Sequence, residues 1–202
     1  MAHAGTASNT TPKVMQVFEK TGAYLRGHFR LTSGLHSPEY LQCAKVLQFP
    51  VHAEAFGKAL AARFTGDTDS LIDLVVAPAM GGLIIGHEVA RALGTRFVFT
   101  ERDEAKKMTL RRGFTAEKGE VAVVVEDVIT TGGSSREVIE ILQDAGVTVL
   151  SAGSIIDRSG GRADLGVPRI ALATLEVTSY APEQCPLCRQ GLPVIKPGSR
   201  PA

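Results

Sequence analysis

Apolar residues in this chain gather into short dense runs, separated by stretches in which they recur every three or four positions. Val121-Ala122-Val123-Val124-Val125 is five apolar residues in a row, mostly β-branched, as in a strand covered on both faces within a parallel sheet. Further strands are predicted at Leu74 to Ala77, Arg96 to Thr100, Val147 to Ile156 and Ile170 to Val177. Helical periodicity predicts helices near Pro12 to Thr21, Val51 to Phe64 and Leu83 to Leu93. Another is predicted from about Ser134, where Val138, Ile141, Leu142 and Ala145 follow at i, i+3, i+4, i+7 before Gly146. Ser134 and Glu137 have the spacing of a capping box for that helix. Strands alternating with helices predict an α/β fold with a doubly wound, mostly parallel sheet flanked by helices.

Length bounds this picture: 202 residues bury one α/β core with a small appendage, not two large domains. The expected organisation is a disordered extension over 1–11 and a single domain over 12–202. Charge is nearly balanced, with 22 Lys and Arg against 21 Asp and Glu, so no global field favours nucleic acid or an anionic membrane and any anion site must be local. The first residues have no apolar core of a secretory signal, and no eighteen apolar residues run together, so a cytoplasmic enzyme is the default expectation. Three cysteines do not make a disulfide framework.

The central strand leads into the densest chemistry. Glu126 and Asp127 are followed by Val128, Ile129, Thr130, Thr131, Gly132, Gly133 and Ser134. The small-residue turn lets backbone N–H groups close around a phosphate at a helix N-terminus, with hydroxyls as further donors. The two carboxylates can accept hydrogen bonds from vicinal ribose hydroxyls or hold a divalent cation. Neither the dinucleotide fingerprint nor the Walker loop is met. Pro78-Ala79-Met80-Gly81-Gly82 is either a second anion-binding turn or a tight turn before an ordinary helix.

Between Ala105 and Phe114 lie Lys106, Lys107, Arg111 and Arg112 with no acid among them. The segment reads as a solvated connection or as a polar lid over a charged substrate. Arg158 closes a predicted strand, where it can pair with a ligand carboxylate or with Asp157 or Asp164. Lys45 can approach substrate or remain solvated. Cys185-Pro186-Leu187-Cys188 has metal-ligand spacing, yet a structural zinc site wants four ligands and only Cys43 and scattered histidines remain. His28, His36, His52 and His87 form no recognised ligand motif and read as surface or packing residues, so no metal ligands are assigned.

The apolar strand, acid pair and Thr-Thr-Gly-Gly-Ser turn resemble the signature of type I phosphoribosyltransferases, which use 5-phosphoribosyl diphosphate (PRPP). Two other segments resemble the orotate phosphoribosyltransferases, bacterial type. Arg102 is followed four residues later by Lys106, and Leu31-Thr32-Ser33-Gly34-Leu35-His36-Ser37-Pro38-Glu39-Tyr40 is similar to the hood segment of that family. The resemblance runs from about Pro12 to Arg200. It implies a hood formed by roughly 22–50 and the tail 178–202, PRPP on Glu126 to Ser134, and orotate on Thr130 and Arg158. It puts Arg102 on diphosphate and Lys106 over the anomeric carbon. Transfer of the phosphoribosyl group to orotate in pyrimidine biosynthesis follows, with Mg2+ and a homodimer whose loop reaches the partner's site. Departures are Asp103 and Met108, where many members carry Lys and His, and Thr32 and Gly81, where some carry Lys. A purine or uracil phosphoribosyltransferase is the nearest alternative. A PRPP-sensing regulator is another, although no helix-turn-helix or basic arm is evident for nucleic acid.

Overall fold

The computed structural model describes residues 11–31, 33–66 and 71–197. Residues 1–10 of the extension expected over 1–11, Thr32, residues 67–70 and the tail beyond 197 lie outside the described residues, whereas Thr11 already begins a helix. The chain begins with α1 (Thr11–Lys20), then a hairpin of β1 (Tyr24–Arg30) and β2 (His36–Leu41), a short α2 (Ala44–Leu47) and α3 (Pro50–Thr65). Next come β3 (Leu74–Pro78), α4 (Gly82–Leu93), β4 (Arg96–Arg102), β5 (Met108–Leu110) and β6 (Val121–Ile129). Then follow α5 (Gly133–Asp144), β7 (Thr148–Asp157), β8 (Arg169–Thr174) and α6 (Pro186–Arg189).

The main sheet has the order β5-β4-β3-β6-β7-β8, parallel except for β5, which runs antiparallel to β4. Every residue of β3 is buried, and so is the Ala122–Val125 run of β6, because helices cover both faces. On one face α3 and α4 pack through Phe56, Leu60, Ile85 and Val89 onto Val75, Val123 and Val125. On the other, Val138, Ile139 and Leu142 of α5 cover Leu74, Val76, Ala122 and Val124. Alternate strand residues thus feed opposite cores, as the pleat requires. At Gly57 an added Cβ would lie 2.6 Å from the Cβ of Glu88, so this glycine sets the close approach of α3 to α4.

Chain order reverses between β3 and β6, and there the sheet divides. These strands pair from Leu74 and Ala122 only as far as Val76 and Val124, whereas β3 stays with β4 to Pro78 and β6 stays with β7 to Ile129. Such a switch point is where open α/β sheets bind ligands, at the strands' carboxyl ends.

Three local expectations are corrected. The segment after β4 is a hairpin rather than a long loop: Asp103 N–H donates to Lys107 O at 2.9 Å, Lys106 N–H donates to Asp103 O at 3.0 Å, and Lys106 has a φ of 63°. Gly132, at φ 78°, sits at the start of α5 without a side-chain cap. Ser134 and Glu137 therefore do not form a capping box, because the Glu137 carboxylate is engaged by Arg102 instead. The last strand stops at Thr174, and Leu175, Glu176 and Val177 leave the sheet to line a small cavity beside Arg158. Among the described residues no helix is long and apolar enough to cross a membrane.

Candidate active site

A cleft of about 420 Å³ opens at the divided carboxyl edge. Its walls are the turn after β3 (Pro78 to Gly81), Glu126 and Asp127 of β6, Ser134 of α5, and Glu101, Arg102 and Met108 of the hairpin. Sequence reading placed Glu126, Asp127, Ser134 and Arg102 in one site, and the fold brings these four to the same cleft.

The acid pair is unusually placed for carboxylates. Burial pushes the Glu126 carboxyl up to about 7; a hydrogen bond from Ser135 Oγ opposes that rise, and the neighbouring Asp127 charge adds to it. Burial likewise raises Asp127, although Oδ1 accepts the Val128 N–H at 2.9 Å. Ser135 was not anticipated: it lies one residue past the motif, and only the first turn of α5 turns its hydroxyl back to β6.

Two glycine turns flank these acids. An added Cβ on Gly81 would stand 2.5 Å from Asp127 Oδ1, and one on Gly82 would stand 2.9 Å from Val125 O. Any side chain at Gly81 would therefore displace the carboxylate. On the other wall, a Cβ on Gly132 would meet Leu165 Cδ2 at 2.3 Å, in a left-handed conformation that already favours glycine. With no side-chain cap on α5, the amides of its first turn are available to an anion. Val128 and Ile129 carry the strand onward, Ile129 fully buried, to the exposed Thr130 and Thr131.

The cations divide into engaged and free. Arg102 makes a two-pronged pair with Glu137, Nη2 to Oε1 at 2.9 Å and Nη1 to Oε2 at 3.0 Å, while Nη1 also donates to Lys106 O. Arg112 is bound in the same way by Glu101 and lies over the Phe99 ring at 5.8 Å, which makes it a hairpin support. Lys106 and Lys107 are exposed at the hairpin tip and form no ion pair among the described residues. Lys45 is also exposed, and donates to Gly22 O at 3.2 Å.

Arg158 faces a second, smaller cavity with Tyr24, Glu39 and Leu41 of the hairpin β1–β2. It does not pair with Asp157, which is held by Arg169 at 2.9 Å and by Ser159, nor with Asp164, which accepts the Gly166 N–H. Its Nε is buried without a hydrogen-bond partner, and burial pulls the guanidinium below its ordinary value. A buried donor left unpaired in a cavity is suited to a ligand acceptor. Cys43 Sγ stands 3.9 Å from Asp127 O, and burial pushes its thiol well above the usual value. Tyr40 feels both Arg158 and Asp127.

Adjacent half-buried carboxylates are hard oxygen donors, a set that fits Mg2+ bound together with substrate oxygens. His28 and His36, read as unrelated packing residues, are instead brought against Cys185 and Cys188, which corrects the view that no ligand set surrounds the cysteine pair.

The pattern of the phosphoribosyl transferase domain matches residues 52–166. Orotate phosphoribosyltransferase of Pelotomaculum thermopropionicum is 58% identical over 191 residues, covering 95% of this chain and 98% of that protein. The enzyme of that name from Desulforamulus reducens is 52% identical over 93% of this chain and 96% of its own length. The crystal structure of orotate phosphoribosyltransferase from Aeropyrum pernix superposes with a TM-score of 0.67 at 28% identity, covering 81% of this chain and 94% of that one. With motif, sheet order and full-length kinship in agreement, the chain belongs to the orotate phosphoribosyltransferases.

Proposed function

We propose that this protein transfers the 5-phosphoribosyl group from PRPP to orotate, forming orotidine 5′-phosphate and diphosphate in the de novo synthesis of UMP. One observation carries the assignment of the cleft: a paired acid stands between two glycine turns at the switch point, and an unpartnered arginine lies in the adjoining cavity. In this reading the 5-phosphate rests on Thr130 to Ser134 at the uncapped end of α5. The ribose hydroxyls donate to Glu126 and Asp127, and Val128 and Ile129 set the strand edge beneath them. Arg158 takes the orotate carboxylate through a charge-assisted pair, with Thr130 on the base. A neutral base such as uracil or adenine offers that guanidinium no counter-charge.

Chemistry requires the bond from the anomeric carbon to diphosphate to break, with its electron pair leaving on the diphosphate oxygen, while a ring nitrogen of orotate bonds to that carbon and its proton passes to the departing diphosphate or to water. The barrier lies in charge separation, so positioning and stabilisation of the leaving group are what the protein supplies. Lys106 and Arg102 provide that positive charge, and Gly81 supplies backbone room for diphosphate. Glu126 and Asp127 would hold Mg2+, which when bound neutralises diphosphate charge. A cytoplasmic homodimer belongs to the same proposal, with Lys106 crossing to the partner's site. The exposed hairpin tip and the exposed Met80 and Ile84 near the cleft support it.

The test is base-dependent release of diphosphate from PRPP with Mg2+. Orotate is expected to support turnover, whereas activity with hypoxanthine, adenine or uracil but not orotate would overturn the substrate assignment. Arg158→Gln should raise the KM for orotate about 10- to 100-fold, as loss of a charged hydrogen-bonded pair does, with little change in the KM for PRPP. An unchanged orotate KM would remove Arg158 from the base site.

A further inference from the structure

Four potential metal ligands from three parts of the chain meet away from the cleft. His28 lies on β1, His36 begins β2, Cys185 precedes α6 and Cys188 lies within it. His28 Nε2 is 2.9 Å from His36 Nδ1 and 3.5 Å from Cys185 Sγ. Cys188 Sγ is 3.7 Å from His28 Nε2 and 3.3 Å from His36 Nδ1. All four ligand atoms fall within 4.8 Å of one another; His28, His36 and Cys185 are buried and Cys188 closes the exposed side.

We propose that His28, His36, Cys185 and Cys188 form a structural zinc site that fastens the hood hairpin to the C-terminal segment. Tetrahedral zinc, with bonds of about 2.0–2.1 Å to nitrogen and about 2.3 Å to sulfur, separates nitrogen from sulfur by about 3.5 Å. The three nitrogen–sulfur distances, 3.5, 3.7 and 3.3 Å, scatter about that value. Two sulfurs and two imidazole nitrogens are a donor set for zinc rather than for magnesium or calcium. A two-iron cluster would hold the histidine pair and the cysteine pair on different metals, farther apart than these contacts allow.

The surroundings prepare the ligands. Leu192 O lies 2.8 Å from His28 Nδ1 and accepts its proton, which leaves the Nε2 lone pair facing the cluster. No carboxylate contributes, and the two thiols are unbridged. Four protein ligands leave no open position, so the site is structural rather than catalytic. Its place in the fold gives the reason. Backbone bridges Phe29–Ile195 and His36–Tyr180 join the same two segments, yet Leu192, Val194 and Ile195 are exposed and add little apolar burial. A metal supplies the cohesion that this part of the hood lacks. The inference is independent of the reaction assigned above.

Elemental analysis of the untagged, dialysed protein tests it. About one zinc per chain is expected, falling to background in Cys188→Ser and in His36→Ala, and unchanged in the control His87→Ala at an exposed histidine. Cobalt(II) added to protein stripped of metal should give the visible bands of tetrahedral coordination with a sulfur charge-transfer band. Should the variants fail to fold, the wild-type protein decides: a chelator should lower its Tm and expose both thiols to alkylation, and zinc should reverse both effects. Wild-type protein without stoichiometric zinc, an octahedral cobalt spectrum, a Cys185–Cys188 disulfide, or iron with inorganic sulfide would each overturn the proposal.

Discussion

Glu126 is a residue whose chemistry departs far from its ordinary behaviour. Its carboxyl is pushed by burial from 4.5 to about 7, so near neutrality it holds a proton for much of the time. As a hydrogen-bond acceptor for ribose or a ligand for Mg2+ it must be ionised. Affinity for Mg-PRPP should therefore weaken as pH falls through about 7, and calorimetric titration at several pH values should show this dependence largely lost in Glu126→Gln. Stability runs the other way. A carboxyl raised in the folded state contributes stability that is complete below 4.5 and lost as pH rises through about 7. The Tm difference between wild type and Glu126→Gln should shift against the wild type across that window in the ligand-free protein. At Lys106, free at the hairpin tip, Lys106→Ala should lower kcat about 100-fold or more while changing PRPP affinity little. Steady-state and binding measurements separate the two, and equal losses would remove it from the transition state. The acid pair and Arg158 could be read from sequence because each ends an apolar run. Ser135 and Cys43 could not, since one acts through a helical turn and the other through a contact spanning much of the chain.

At the scale of elements, runs of buried apolar residues were legible and polar hairpins were not. β3 and the first half of β6 are buried on both faces and announce themselves as continuous apolar stretches. β1 does not, because its inward positions include His28, Gly27 interrupts it, and its partner carries Ser37 and Pro38. The hairpin β4–β5 was hidden for another reason: β5 is three residues long and the hairpin is held from outside by Glu137 of α5, which accepts from Arg102 and, at 3.3 Å, from the Met108 N–H. Glu137→Gln should loosen this anchor. Hydrogen exchange at the amides of residues 103–108 should become faster while the core of β6 stays protected, and unchanged exchange would show that the pair does not anchor the hairpin.

For the whole molecule, the alternation of strands and helices was sufficient to give the layers, but not how protomers associate. Met80, Ile84, Phe49 and Val51 are exposed apolar side chains, and Met80 is 76% exposed beside the cleft. If the homodimer buries Met80 and Ile84, Met80→Glu with Ile84→Glu should shift sedimentation from dimer to monomer; an unaltered dimer would place the interface elsewhere. Association in that geometry would also allow mixed dimers of Lys106→Ala and a cleft-defective variant to regain part of their activity. Of the proposed zinc ligands the Cys pair was legible from its spacing but its histidine partners were not, for a topological reason: a hairpin near one end of the chain and a turn near the other are neighbours only once β8 has brought the tail back to the β1–β2 hairpin. The parting of β3 from β6 beyond Val76 and Val124 has a mechanical meaning as well. Past that rung the two halves of the sheet share no ladder, and the turn at Gly81 and Gly82 is wedged into the seam against Asp127 and Val125. A sugar phosphate lodged there would serve as a cross-strut, so that the reactant itself completes the span and its departure leaves the two halves free to flex apart.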